Sequence, residues 1–144
     1  MEANIFNWII GGTDAHAKNY SMLIGVLAEA RLAPLYDISS ILPHLGEGEV
    51  QAEMRDLKLA MKIDKTYQLD EVMPRYWERC ASAAKVSTEY TMEAVRRQVA
   101  VMPDMVSDCA ARVRAEGLTH EIVDRLVDTI AGRAKGLSRI YGTE

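Results

Sequence analysis

The stretch Ile9-Ile10-Gly11-Gly12-Thr13-Asp14-Ala15-His16-Ala17-Lys18-Asn19-Tyr20-Ser21 organises the reading of everything around it. Ile5, Phe6, Trp8, Ile9 and Ile10 lead into it as a short apolar helix that stops at Gly11-Gly12. Thr13 through Asn19 is polar and reads as a loop. It places a carboxylate, an imidazole, an ammonium and a carboxamide within six residues. A loop held at both ends by apolar elements can fix reacting groups in place. Residues 20–27 then read as a strand, apolar and partly β-branched, with a turn near Glu29-Ala30. Residues 31–36 return as its partner, which Pro34 confines to an edge or an irregular piece. A second carboxylate, Asp37, stands at the end of that run.

These groups suit phosphoryl transfer. One carboxylate must orient the attacking hydroxyl and accept its proton, while a carboxamide oxygen and a second carboxylate hold magnesium against the phosphates. In protein kinases the catalytic-loop Asp is followed five positions later by the metal-binding Asn, and a further Asp beyond the next hairpin binds metal. Asp14 and Asn19 have that spacing, and Asp37 follows two apolar runs able to form the hairpin. Asp and Asn at this separation also serve widely as turn and cap residues, so spacing alone leaves both readings open.

Beyond this segment, residues 38–42 suggest a helical turn ending before Pro43, Gly46-Glu47-Gly48 a loop, and residues 57–63 a third strand. From residue 66 onward the pattern is helical. Asp70 is the expected N-cap of a helix of about 16 residues with Val72, Tyr76, Trp77, Cys80 and Ala84 on its apolar face. Ser87 or Thr88 caps the next, whose stripe runs Met92, Val95, Val99, Met102, Val106, Cys109 and Val113. Pro103 should kink or split it. Thr119 is the expected cap of the last helix, with Ile122, Val123, Leu126, Val127, Ile130, Ala134, Leu137 and Ile140 facing inward. Arg133, Lys135 and Arg139 near its end read as complements to its own dipole. The fold class is therefore α+β and mainly α: residues 1–65 carry the loop and a small β-hairpin region, and residues 66–144 form a helical bundle.

Bulk composition narrows the classes. The chain has 144 residues, 49% hydrophobic and 26% charged, as a soluble globular domain has. A net charge of −4 gives no electrostatic case for direct nucleic-acid binding. No apolar run reaches transmembrane length, and Met1-Glu2-Ala3-Asn4 lacks the basic start of a signal peptide, so a cytoplasmic location is expected. Cys80 and Cys109, with no CxxC partner, are expected as buried reduced thiols, and His16, His44 and His120 are too scattered for zinc.

The run from Phe6 to Ser21 resembles the catalytic-loop signature of the HipA family of serine/threonine kinase toxins, and Leu32-Ala33-Pro34-Leu35-Tyr36-Asp37-Ile38 resembles its metal-binding segment. Residues 57–63 resemble the family's next strand, and the helical remainder its C-terminal lobe. The resemblance implies a divergent protein-kinase-like fold, with Asp14 as catalytic base and Asn19 and Asp37 as Mg²⁺ ligands for ATP. His16 and Lys18 belong to the same signature; His16 would brace the loop by hydrogen bonds or act directly, and Lys18 would lie near a phosphate or on a solvated face. It further implies a helix-turn-helix antitoxin as partner, DNA contact only through that antitoxin, and a protein substrate such as an aminoacyl-tRNA synthetase. Two features depart from the family. Gly12 replaces the usual Asn, which should loosen the loop and remove a side-chain partner. The loop begins at residue 13, leaving the N-terminal ATP lobe absent; a fragment of a longer kinase, a truncated reading frame, and a subunit that works with a separately encoded N-terminal lobe are the three explanations. A non-catalytic remnant that binds antitoxin or target is the alternative. A kinase of the aminoglycoside type is a further one, disfavoured because such enzymes place His two residues before the catalytic Asp, where this chain has Gly12.

Overall fold

The computed structural model describes residues 1–46 and 51–142, so part of the expected Gly46-Glu47-Gly48 loop lies outside the described residues. Helix α1 spans Glu2–Ile9 and buries Ile5, Trp8 and Ile9, one helical face. It ends as Gly11 takes φ +69°, where a β-carbon would fall 2.6 Å from Cγ of the buried Leu42. Glycine is required there by both torsion and space. Two short antiparallel hairpins follow. Strands β1 (Met22–Ile24) and β2 (Ala30–Leu32) pair with Leu23 opposite Arg31. Strands β3 (Lys58–Ile63) and β4 (Thr66–Gln68) pair about a turn in which Asp64 has φ +54°.

Several elements differ from expectation. Strands β1 and β2 are shorter than the apolar runs that suggested them. The helical turn expected over residues 38–42 is instead a 3₁₀ turn at Leu42–His44 that includes Pro43. Strand β4 was unexpected; three residues are too few to show an alternating pattern, and only the turn-forming Asp64 hints at it. Helix α2 is Pro74–Ala83, ten residues with Met73 at its N-cap, not a longer helix capped by Asp70. Pro74 suits the first helical position and disfavours helical torsions in the residue before it. Tyr76, Trp77 and Ala81 are its buried residues, and Ala84 is exposed.

Helix α3, Thr88–Ala115, is capped by Ser87, whose hydroxyl accepts from Tyr90 N at 3.1 Å. It runs through Pro103 as one helix rather than splitting. Its buried line passes from Met102 to Val106 to Ala110. Cys109 is consequently exposed, with the Arg112 guanidinium donating to its sulfur at 3.1 Å, and Cys80 is half-buried. Helix α4, Ile122–Tyr141, has Glu121 rather than Thr119 at its N-cap, and His120 Nδ1 accepts from Ile122 N. Tyr141 takes the inward position near its end and leaves Ile140 exposed. Among the described residues no helix is long and apolar enough to cross a membrane.

One core joins the two halves. The Trp8 ring meets Trp77 and Tyr141 edge-on, with centroids 5.5 and 5.4 Å away. Arg133 of α4 lies over Trp8 and donates to the carbonyls of Trp8 (3.3 Å) and Leu69 (3.1 Å). Its cation thus serves the C-terminal end of α1, not of its own helix, which corrects the expected dipole role. Burial pushes its pKa down to about 10, with Asp70 and Tyr141 opposing.

The Tyr141 hydroxyl donates to Val72 O at 3.1 Å, and burial raises its pKa well above the ordinary 10. Below pH 10 the phenol is protonated whether the chain is folded or not. Above it, the unfolded phenol ionises while the folded one keeps its proton, so this group's contribution falls as pH rises. Arg133 acts in the opposite sense there, because its folded form releases a proton first. Chemical denaturation of Tyr141→Phe between pH 9 and 11 should therefore show a smaller loss of stability with pH than the parent. Parallel curves for the two proteins would contradict this account.

Candidate active site

The loop between α1 and β1 is built mostly by its main chain. Gly12 N donates to Asn7 O at 2.7 Å, His16 N to Asp14 O at 2.8 Å, and Asn19 N to His16 O at 3.0 Å. Residues Ala17–Asn19 close as a 3₁₀ turn. Gly12 is buried, and a β-carbon there would come within 3.2 Å of Asn7 O and 3.3 Å of Ser39 O. The position leaves little room for a side chain. A longer side chain would need Asn7 and the 39–40 segment to shift.

The returning segment is tied to the same loop from the other side. Ile41 N donates to Gly11 O (3.2 Å), Ser40 Oγ donates to Ile10 O, and the Tyr36 hydroxyl donates to Lys18 O at 2.7 Å. These ties bring Asp37 to Asn19. The Asn19 carboxamide is buried and donates from Nδ2 to Asp37 Oδ2 at 3.2 Å and to Asp14 O at 3.3 Å. Asp37 has φ +55°, a left-handed torsion that Asp tolerates better than most residues but that still costs energy.

Asp14, Asn19 and Asp37 therefore share one small region. The Asp14 and Asp37 side chains are exposed beside it, and no ion pair engages either among the described residues. Lys18 is exposed, also without an ion pair there. His16 departs from the expected bracing role. Its ring makes no hydrogen bond among the described residues, Nδ1 is enclosed without a partner, and only its main chain ties the loop.

The donor set fits magnesium. A carboxylate and a carboxamide are hard oxygen ligands, and rotation of the Asn19 amide exchanges Oδ1 for Nδ2. The described residues hold no cluster of three or more His, Cys, Asp or Glu able to cage a metal. Two protein donors leave positions for phosphate oxygens and water, the usual arrangement for Mg²⁺.

A family model described as the HipA-like C-terminal domain matches residues 1–115. The chain belongs to this family. The HipA-like match takes in the loop, both hairpins, α2 and all of α3. The curated protein named Putative kinase Y4mE, from Sinorhizobium fredii, is 32% identical over 141 residues, which is 94% of this chain and 30% of that protein. The solved complex of HipA, HipB and operator DNA from Shewanella oneidensis MR-1 superposes with a TM-score of 0.73 at 18% identity, over 99% of this chain and 33% of that one. This likeness shows the fold: a mainly helical unit with two small hairpins, as in the C-terminal part of HipA. The chain spans about a third of the length of each of these relatives.

Asn7, Tyr20 and Tyr36 support the HipA-like loop, and Arg133 supports the end of α1 that leads into it. Asn7 Nδ2 donates to the Tyr20 hydroxyl at 2.8 Å, linking the loop's two ends. Nothing in their spacing marks these residues; only the tertiary approach of distant segments gives them partners.

Proposed function

We propose that this chain carries the phosphoryl-transfer half of a HipA-type serine/threonine kinase. The supporting observation is the Asn19 carboxamide, which touches both the Asp37 carboxylate and the Asp14 main chain. In this reading Asp14 orients a substrate hydroxyl and accepts its proton as the hydroxyl oxygen bonds to the γ-phosphorus of ATP, while the bond from that phosphorus to the β,γ-bridging oxygen breaks and ADP leaves. Asn19 and Asp37 would hold Mg²⁺, which when bound would supply charge neutralisation for the phosphates. Positioning and charge neutralisation supply most of the catalysis in this reaction. The 144 residues contain no glycine-rich phosphate loop, so the remaining grip on ATP comes from further polypeptide, covalently continuous or separately encoded. The chain by itself is then a weak kinase or an inactive one.

The same reading makes the protein a cytoplasmic toxin component. A helix-turn-helix antitoxin would restrain it, as HipB accompanies HipA in the Shewanella complex, and DNA would be reached only through that partner. Its substrate would be a protein, such as an aminoacyl-tRNA synthetase.

Metal binding offers the direct test. Titration with Mn²⁺ in the presence of ATP, followed by water-proton relaxation, should show Asp37→Asn binding the ion about tenfold or more weakly, since the variant loses the only charged ligand proposed. Asn also tolerates the left-handed torsion, so folding stability should change by less than about 0.5 kcal/mol. Equal Mn²⁺ affinity in parent and variant would remove Asp37 from the metal site.

A further inference from the structure

The segment that carries Asp37 has no ladder of its own. Among the described residues, the main chain from Pro34 to Ser40 makes no hydrogen bond to other main chain. The last such bond before it is Ala33 N to Ser21 O at 2.8 Å, and the first after it is Ile41 N to Gly11 O at 3.2 Å. A stretch of this kind takes its course from the side chains that anchor it. Besides the Asp37 carboxylate, two of its side chains are tied by hydrogen bonds to the catalytic-loop side. Ser40 Oγ donates to Ile10 O, three residues past Asp37, and the Tyr36 hydroxyl donates to Lys18 O at 2.7 Å, one residue before it. Asp37 itself holds φ +55°, a torsion that an unanchored aspartate would leave for the ordinary regions.

The Tyr36 bond joins the neighbours of both proposed metal ligands, since Tyr36 precedes Asp37 and Lys18 precedes Asn19. Lys18 lies in the 3₁₀ turn Ala17–Asn19, and its carbonyl is one that the end of such a turn leaves without a main-chain donor. Tyr36 supplies that donor. A phenol has one proton, and it goes to Lys18 O, so Ser21 Oγ, 2.9 Å away, is the donor to the Tyr36 oxygen. Ser21 therefore orients the hydroxyl, and the hydroxyl joins the two arms.

Stability does not account for this arrangement. Tyr36 is 46% exposed, so water can take up the groups that a missing hydroxyl would leave. Water cannot replace a fixed span between the two arms. The direct contact, Asn19 Nδ2 to Asp37 Oδ2, cannot set that span for a bound ion, because it is given up when the amide turns Oδ1 toward the metal.

We propose that Tyr36 is the positioning residue of the metal site, its hydroxyl holding Asp37 at the separation from Asn19 that a divalent cation requires. The proposal rests on the kinase reading above and deepens it. Groups that orient metal ligands affect affinity nearly as strongly as the ligands do.

The test is titration of the chain with Mn²⁺ in the presence of ATP, followed by water-proton relaxation, for the parent, Tyr36→Phe, Ser21→Ala, Asp37→Asn and Tyr36→Phe/Asp37→Asn. Tyr36→Phe should bind the ion about tenfold more weakly. Ser21→Ala keeps the bond to Lys18 O and should lose less than about twofold. In the Asp37→Asn background, Tyr36→Phe should change affinity by less than about twofold, because the residue it positions is no longer a charged ligand. The melting temperature of Tyr36→Phe should stay within about 4 °C of the parent, as an exposed hydroxyl requires.

Equal weakening by Tyr36→Phe in both backgrounds overturns the proposal, because a general loosening of the loop acts whether or not Asp37 is present. A larger fall in melting temperature overturns it as well, since the bond would then serve folding. Parent-like Mn²⁺ affinity in Tyr36→Phe, with Asp37→Asn weakened, rejects the positioning role and leaves the metal site standing. Parent-like affinity in Asp37→Asn removes the metal site, and the positioning role falls with it.

Discussion

Replacing Asp14 by Asn should lower phosphoryl transfer by about 10²–10⁴-fold, the range expected when a positioned general base is lost. The measurement is labelled-phosphate transfer by the chain completed with its ATP-gripping polypeptide, since the chain alone should give little signal. Asn has the shape of Asp but cannot accept the proton of the attacking hydroxyl. The loop itself should persist, because Asp14 contributes to it through its carbonyl, which accepts from His16 N and Asn19 Nδ2, and these bonds do not depend on the carboxylate. Mn²⁺ binding should stay near the parent value in Asp14→Asn and fall in Asp37→Asn. That split separates a proton acceptor from a metal ligand. Undiminished transfer by Asp14→Asn would leave the kinase reading without its base.

The second large effect is on stability. Arg133→Ala should cost about 2–3 kcal/mol in chemical denaturation, from two charge-assisted hydrogen bonds, a stacking contact on Trp8 and the packing of the side-chain stem. The carbonyls of Trp8 and Leu69 each keep a second donor, Gly11 N and Trp8 Nε1, which limits the loss. Desolvation of the guanidinium opposes the gain, as its depressed pKa of about 10 indicates. Arg133→Met should consequently cost less than Arg133→Ala, because it fills the same space and carries no charge to desolvate. A change below about 0.5 kcal/mol in Arg133→Ala would show that the clamp on α1 is dispensable.

Local sequence carried the helices well where the signal was local. The three- and four-residue steps of α3, its start at Ser87 or Thr88 and the halt of α1 at Gly11-Gly12 are all legible without a structure, because each depends on neighbours along the chain; the structure selects Ser87 as the cap. The misplaced starts of α2 and α4 show the limit. Asp70 and Thr119 are credible caps by residue type, but Pro74 set the start of α2, and His120 took the first free N–H of α4. Cys109 was assigned to the core for the same reason: its spacing lies within one residue of the buried line, and only the packing partner decides which residue faces inward.

What the sequence alone determined is the order of chemical groups: a loop with Asp14 and Asn19 at kinase spacing, an apolar hairpin, then Asp37, in a family whose C-terminal domain matches residues 1–115. Only the tertiary structure decided that Asn19 meets Asp37 at 3.2 Å, that Gly12 is hemmed in by Asn7 and Ser39, and that Arg133 braces α1 from 125 residues away. The physical reason is range. Torsional preference and hydrophobic period act over a few residues and can be read along the chain. A hydrogen bond between distant segments depends on where the whole core places them.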